Sequence, residues 1–263
     1  MTEEKYGFVF VFSRQYGFCD NLKGLLSVFM LARKCNVSIK IELLDNLGME
    51  KFFNKKYIYN KDNATREIEY RIYNYNYKIF DVLYNKYVNV CQNMTKNVYI
   101  ISNVDPFMYK YGIWDRRMRQ NSEEYNAIIN ELREIFRDIF IFGPKKYIPS
   151  FIFHLRLGDK ATKESIENYI EKHKIIENIK KIVYAKNINE YTILSDHTCA
   201  LEYIKSKDPE FFNKQTRTDY KESIHFIKIT CEDEFDNLID NFLTIYYASG
   251  IICYENWSGI SYY

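Results

Sequence analysis

The sequence predicts an α/β protein made of two halves, each with a parallel sheet and flanking helices. Buried, β-prone runs alternate with amphipathic helical patterns along most of the 263 residues. Gly143-Pro144 and Pro149 then break the chain near its middle, and the alternation begins again behind them. We therefore predict an N-terminal domain over residues 1–143 and a C-terminal domain over residues 144–263. A cleft is expected between them.

The first half opens with a βαβ unit. Tyr6 to Phe12 is a continuous apolar run, as expected for a strand buried on both faces. A helix is predicted over 22–35 and a second strand over 37–43. The loop behind the first strand contains Gly17 and Asn21 and lies where parallel sheets bind ligands. Neither the G-x-G-x-x-G fingerprint nor the P-loop pattern is present there.

The rest of the first half gives a weaker pattern. We predict a helix over 64–84, although alternating tyrosines obscure its period, and a strand over 97–101. A strong amphipathic helix is predicted to begin at Ser122, which is followed by two glutamates.

The second half repeats the alternation of strands and helices. Strands are predicted over 151–155, 191–194, 224–229 and 250–254, helices over 165–182, 198–206 and 233–247, and a final helix from Ile260. Three of these strands end in polar residues, and the carboxyl ends of parallel strands share one edge of a sheet. The polar residues expected to converge at that edge are His154, Arg156, Ser195, Asp196, Asn256 and Ser258.

The stretch from Phe151 to Lys160 contains the most informative of these residues. His154 and Arg156 are two positions apart, which places them on the same face of an extended strand, and Gly158 ends the strand. Arginine presents a fixed fork of donors that matches a diphosphate. An anionic ligand at the sheet edge is therefore one interpretation. The alternative is a buried strand in which both residues pair with structural carboxylates.

Composition excludes several classes of function. A formal net charge of +2, with basic and acidic residues interleaved, does not indicate a nucleic-acid binder. No apolar run reaches the roughly 18 residues of a membrane span, and no signal peptide is recognisable. The six cysteines show no CxxC pairing and are interpreted as free thiols. We expect a cytoplasmic protein. The many Asn, Lys, Ile and Tyr residues suggest an AT-rich genome, such as that of a large DNA virus or of a protist, and a viral protein would be located in the host cytoplasm.

Four motifs, in this order, resemble the α1,2/α1,6/protein O-fucosyltransferase superfamily. They are Gly17 to Ser27, His154-Leu155-Arg156-Leu157-Gly158-Asp159, Ile193 to Asp196, and Asn237 to Leu243 continuing to Ser261. The similarity runs from about Phe8 to the last residue and is densest in the second half. Asp159-Lys160 followed by Glu164 is most similar to the α1,6 branch.

The resemblance implies a GT-B fold with two Rossmann-like domains, the first on the acceptor side and the second binding the nucleotide sugar. It implies GDP-fucose as donor substrate, a glycan acceptor, inversion at the anomeric carbon, and no metal or other cofactor. Arg156 would hold the β-phosphate, His154 would line the ribose and diphosphate, and Glu164 would be the base with Lys160 beside it. The implied donor-binding residues are His154, Arg156, Asp159, Lys160, Ser195, Asp196, Asp240, Asn256, Ser258, Gly17 and Asn21.

Some features depart from the superfamily pattern or leave alternatives open. The last loop is Asn256-Trp257-Ser258-Gly259 where the superfamily has a run of serines, and the chain ends at Tyr263, where a closing helix should begin. We therefore expect a minimal or truncated member. Glu164 could equally be a first-turn acid favoured by the helix dipole. The alternatives to fucosyl transfer are another nucleotide sugar, a catalytically inactive nucleotide-sugar-binding protein, and a structural protein. The oligomeric state is not indicated.

Overall fold

The computed structural model describes residues 7–13, 17–44, 48–59, 68–74, 97–102, 123–141, 150–157, 162–216 and 230–254. The chain divides into two compact units. The first comprises Met1–Pro144 with Phe226–Lys228, and the second comprises Lys145–His225 with Ile229–Tyr263. This division falls one residue after the predicted end of the first domain. The acceptor and donor roles of the two halves stay predictions.

The first unit is built on four parallel strands: β1 (Gly7–Phe12), β2 (Ser38–Leu43), β3 (Ile68–Asn74) and β4 (Asn97–Ser102). Their order is β2-β1-β4-β3, and every residue of β1 is buried. Helix α1 (Phe18–Cys35) connects β1 to β2, and α2 (Glu123–Ile139) follows β4 along the chain. Two short 3-10 helices, Met49–Phe52 and Lys55–Tyr57, lie between β2 and β3 in the sequence. The predicted βαβ opening is confirmed.

The predicted helix over 64–84 is wrong where the structure describes it, because residues 68–74 form strand β3. This strand pairs in parallel with β4, with Ile72 opposite Ile100 and Asn74 opposite Ser102. Large β-prone residues at 68, 70 and 72 repeat every second position, which fits a strand better than a helix. The rest of the predicted helix lies outside the described residues.

The second unit contains a three-stranded parallel sheet in the order β6-β5-β7. Its strands are β5 (Phe151–Leu155), β6 (Tyr191–Ser195) and β7 (Gly250–Tyr254). Leu155 at the end of β5 is level with Ser195 and with Tyr254, so the three carboxyl ends are in register. A Cβ atom on Gly250 would lie 2.5 Å from the Phe151 ring, so a larger residue at this position would force that ring to move.

Five helices accompany this sheet: α3 (Lys163–Lys172), α4 (Ile175–Ala185), α5 (Thr198–Lys207), α6 (Pro209–Asn213) and α7 (Glu232–Tyr246). Phe153, Leu155 and Ile193 pack into one apolar cluster with residues of α3 to α6. Side chains alternate across a strand, so Ile152 and His154 lie on the opposite face of β5. The sheet is therefore covered by helices on the face of Phe153.

The helix predicted over 165–182 is two helices, because the chain turns at His173–Lys174 between α3 and α4. Lys174 has φ 49°, a left-handed conformation that few non-glycine residues adopt. The side-chain amide of Asn178 donates to the His173 carbonyl at 3.0 Å and stabilises the turn. The predicted strand over 224–229 and the final helix from Ile260 lie outside the described residues.

Candidate functional site

The candidate site lies at the carboxyl ends of the second sheet. The next strand in the sequence, β6, pairs with one edge of β5, and the last strand, β7, pairs with the opposite edge of β5. In parallel α/β sheets, ligands bind outside the carboxyl ends of the strands where the strand order reverses in this way. Arg156 is the first residue after β5, so it lies at the end of the strand where the order reverses.

Arg156 is held by Asp196, the first residue after β6. The Arg156 Nη1 atom donates to Asp196 Oδ2 at 2.8 Å, and the second carboxylate oxygen, Oδ1, accepts from the Leu157 backbone N–H at 2.8 Å. One carboxylate therefore fixes both the guanidinium and the backbone that follows β5. The predicted meeting of these two residues at one sheet edge is seen in the structure.

The pair is not sealed from solvent. The side chain of Arg156 is 23% exposed and that of Asp196 is 10% exposed. The structural alternative required both His154 and Arg156 to pair with carboxylates inside the core. Arg156 does pair with Asp196, but its side chain is not sealed in the core. Arginine carries five N–H donors in a rigid plane, so one bond to Asp196 sets the orientation of the whole fork. The arrangement can present an oriented cation to an anionic ligand.

Ser195 and His197 complete the turn after β6. The Ser195 side chain is fully buried, and its Oγ accepts from the His197 backbone N–H at 3.1 Å. The hydroxyl thus stabilises the turn that holds Asp196; contact of Ser195 with a donor stays a prediction. His197 Nε2 lies 3.9 Å from Asp196 Oδ2, although His197 was not among the residues predicted for the site. Its position directly after Ser195-Asp196 at a strand end was the available signal.

His154 is a buried imidazole beside this pair along β5. It is only 5% exposed, and burial lowers its pKa to about 4. The Arg156 charge also lowers the pKa, whereas the Asp196 charge opposes this effect. His154 is therefore neutral at physiological pH and can contribute hydrogen bonds to a ligand, whereas positive charge at this edge comes from Arg156.

Glu164, the predicted base, is an exposed residue in the first turn of α3. The helix begins with a capping box: Thr162 Oγ1 accepts from the Ser165 N–H at 3.2 Å, and Ser165 Oγ accepts from the Thr162 N–H at 2.8 Å. An acid next to this cap is favoured by the helix dipole whatever its other role. The catalytic role of Glu164 stays a prediction.

Asp240, which the superfamily resemblance implies as a donor-binding residue facing guanine, is half-buried on α7, where its carbonyl accepts from the Thr244 hydroxyl at 2.8 Å. Contact of its carboxylate with a nucleotide stays a prediction. Four other predicted site residues lie outside the described residues: Asp159, Lys160, Asn256 and Ser258.

In the first unit, Asn21 organises the loop between β1 and α1. Its side chain is fully buried; Oδ1 accepts from the Ser13 N–H at 3.0 Å, and Nδ2 donates to the carbonyls of Ser13 and Gly17 at 2.8 and 3.1 Å. Gly17 is the residue that precedes α1 and has an extended backbone conformation. Asn21 therefore shapes this loop, and donor contact by either residue stays a prediction.

Two further observations concern the described residues. Among them, no three His, Cys, Asp or Glu side chains cluster as ligands for a metal ion would. None of the helices in the same part of the chain combines the length and the apolar character needed to cross a bilayer.

Comparison with known proteins gives no family: no protein-family model matches the chain, and no curated protein matches it at a significant level.

Proposed function

We propose that this protein is an inverting glycosyltransferase that transfers fucose from GDP-fucose to a glycan hydroxyl without a metal ion. The observation that carries the proposal is the Arg156–Asp196 pair at the reversal point of the second sheet, with the guanidinium partly exposed. Two further features support it: two compact units with one parallel sheet each, as a GT-B fold has, and the four motifs that resemble the fucosyltransferase superfamily.

The proposed reaction makes specific demands on this edge of the sheet. The bond between the anomeric carbon and the β-phosphate oxygen breaks, and the acceptor oxygen forms the new bond from the opposite face. Negative charge therefore grows on the departing GDP. A cation that is already oriented stabilises such charge without reorganising during the reaction. Arg156, held by Asp196 at 2.8 Å, meets this requirement.

The acceptor hydroxyl must lose its proton to a base on the face opposite the leaving group. Glu164 is our candidate, because it follows Asp159-Lys160 at the same offset as in the α1,6 branch that the sequence resembles, and because it is exposed. The capping box beside it explains an acid at this position without catalysis. That observation favours a second candidate function, a nucleotide-sugar-binding protein that does not turn over its ligand.

The test is a nucleotide panel followed by a turnover assay. Melting temperature is measured with GDP, UDP and GDP-fucose, and GDP release from GDP-fucose is then measured across a panel of glycan acceptors. We expect GDP and GDP-fucose to stabilise the protein, and one acceptor class to accelerate GDP release.

Other outcomes of the panel contradict the proposal in distinguishable ways. Stabilisation by UDP alone would indicate another nucleotide sugar. Binding of GDP without release of GDP from GDP-fucose would indicate the inactive binding protein, and Glu164→Gln would then change nothing that can be measured. No stabilisation by any nucleotide would contradict nucleotide binding itself.

A further inference from the structure

His197 lies close to the guanidinium that the candidate site presents. Its Nε2 atom is 3.9 Å from Asp196 Oδ2, the oxygen that accepts from Arg156 Nη1 at 2.8 Å. The side chains of His197 and Arg156 are 20% and 23% exposed, so solvent reaches both groups. Because both nitrogens lie within 3.9 Å of one oxygen atom, a single phosphate group is large enough to contact them together.

The turn after β6 fixes the position of His197. Its backbone N–H donates to the buried Ser195 Oγ at 3.1 Å, and the Asp196 N–H donates to the Leu155 carbonyl at 3.4 Å. Leu155 is the last residue of β5, so the second bond ties the turn to the end of that strand. Behind His197, Ala200 in the first turn of α5 is buried in the apolar cluster. The imidazole is therefore carried by a backbone that is held on both sides.

Helix stability does not explain a histidine at this position. His197 is the N-cap of α5, and its side chain makes no capping hydrogen bond. Asparagine, aspartate and serine are the preferred N-cap residues, because their short side chains accept from the first N–H groups of a helix. The 3.9 Å separation from Asp196 is longer than a hydrogen bond. Neither capping nor a bond to Asp196 therefore accounts for the imidazole.

A nitrogen donor at this point suits the ligand of the proposed function. A diphosphate carries several charged acceptor oxygens, and an imidazole Nε2–H is a donor that can bind one of them beside the guanidinium. We propose that His197 is a ligand-binding residue whose Nε2 donates a hydrogen bond to the phosphate group that Arg156 binds. This inference rests on the proposed function, because it concerns the same site, and it adds a contact behind β6 to the one behind β5.

The test compares His197→Asn, His197→Gln and the control His173→Asn, with GDP as the probe. Asparagine is a favoured N-cap, so His197→Asn should melt at or above the temperature of the unmodified protein. Its shorter side chain loses the contact, and its Kd for GDP should rise by about tenfold or more. Glutamine places an amide N–H near the position of Nε2 and should keep the Kd within about threefold. His173 is exposed at the end of α3, so the control should keep its Kd.

A second comparison separates a direct contact from an effect through Arg156. If His197 contacts the phosphate itself, His197→Asn should also raise the Kd for GDP when it is combined with Arg156→Lys. No further rise in that combination would mean that His197 only positions Arg156, and the inference would be overturned.

Other results would also overturn the inference. An unchanged Kd in His197→Asn would remove the ligand contact and leave the proposed function standing. An equal rise in His197→Asn and His197→Gln would mean that binding depends on the shape of the turn and not on a donor at Nε2. A clear drop in the melting temperature of His197→Asn would mean that the imidazole stabilises the fold. Failure of GDP to bind the unmodified protein would overturn both the inference and the proposed function.

Discussion

At the scale of single residues, the Arg156–Asp196 pair is best understood as a device for orientation. Ion pairs in partly buried positions contribute little net stability, because desolvation offsets most of the attraction. Removing one of the two charged side chains nevertheless destabilises the protein, since the remaining charge loses its partner. The 2.8 Å contacts of Asp196 to Arg156 and to the Leu157 N–H therefore matter most for where the guanidinium is held.

Asp196→Asn should destabilise the protein by about 1–3 kcal/mol, because the hydrogen bond from Arg156 loses its charged acceptor. The measurement is the free energy of unfolding in urea. The matched control is Asp20→Asn, which removes the charge from a surface pair with Lys23 at 3.2 Å, where Asp20 is 44% exposed. A surface pair of this kind contributes about 0–1 kcal/mol. Equal effects of the two substitutions would contradict the positioning role of Asp196.

His154 should make stability depend on pH. Its pKa falls from 6.5 in the unfolded chain to about 4 in the folded protein, so between these values only the unfolded chain binds the proton. The stabilisation is complete above pH 6.5 and is lost as the pH falls toward 4. From this shift we expect a loss of about 2 kcal/mol between pH 8 and pH 5.

The corresponding measurement is the free energy of unfolding of the unmodified protein and of His154→Gln across that range. The variant should lose this part of the pH dependence, whatever its absolute stability. His173→Gln, at an exposed position that ends α3, serves as the control. A pH slope that survives in His154→Gln and matches the control would rule out a buried neutral His154.

At the scale of secondary structure, patterns in the sequence were sufficient for most strands and longer helices, and they failed for strand β3 and for the break between α3 and α4. Apolar runs predicted β1, β5 and β7 because buried parallel strands are apolar on both faces. β3 was missed because its tyrosines were assigned to a helix, and pairing with β4 settles the choice. The break between α3 and α4 was missed because the apolar spacing continues across it. Lys174 adopts a left-handed conformation there, and lysine is not a residue type that predicts this conformation.

Asn21→Ala should destabilise the first unit by about 2–4 kcal/mol, because the buried amide bonds to the N–H and carbonyl of Ser13 and to the Gly17 carbonyl, which would lose their partner. Urea unfolding checks this. Asn178→Ala is the control, since that amide makes an exposed bond to the His173 carbonyl and should cost less than about 1 kcal/mol. A loss no larger than that of the control would mean that Asn21 does not hold the loop.

At the scale of the whole molecule, the proximity of Arg156 and Asp196 could be predicted from the sequence. The carboxyl ends of parallel strands lie at the same edge of a sheet, and each of these residues directly follows a predicted strand. The burial of His154 could not be predicted in this way. It depends on which side chains from distant segments cover the sheet. The proposed GT-B arrangement of the two units remains a prediction.

The most direct measurement of the central claim is a calorimetric titration of the full chain with GDP. The unmodified protein is compared with Arg156→Ala, with Arg156→Lys and with Arg133→Ala, a control at an exposed position. Lysine keeps the positive charge that pairs with Asp196 but lacks the planar guanidinium, so Arg156→Lys measures the contribution of the guanidinium geometry to GDP binding. We predict binding to the unmodified protein and to Arg133→Ala, and a Kd raised about tenfold or more in both Arg156 variants. Equal GDP affinity in all four proteins, or no GDP binding by any of them, would contradict the assignment of the second sheet edge as the nucleotide site.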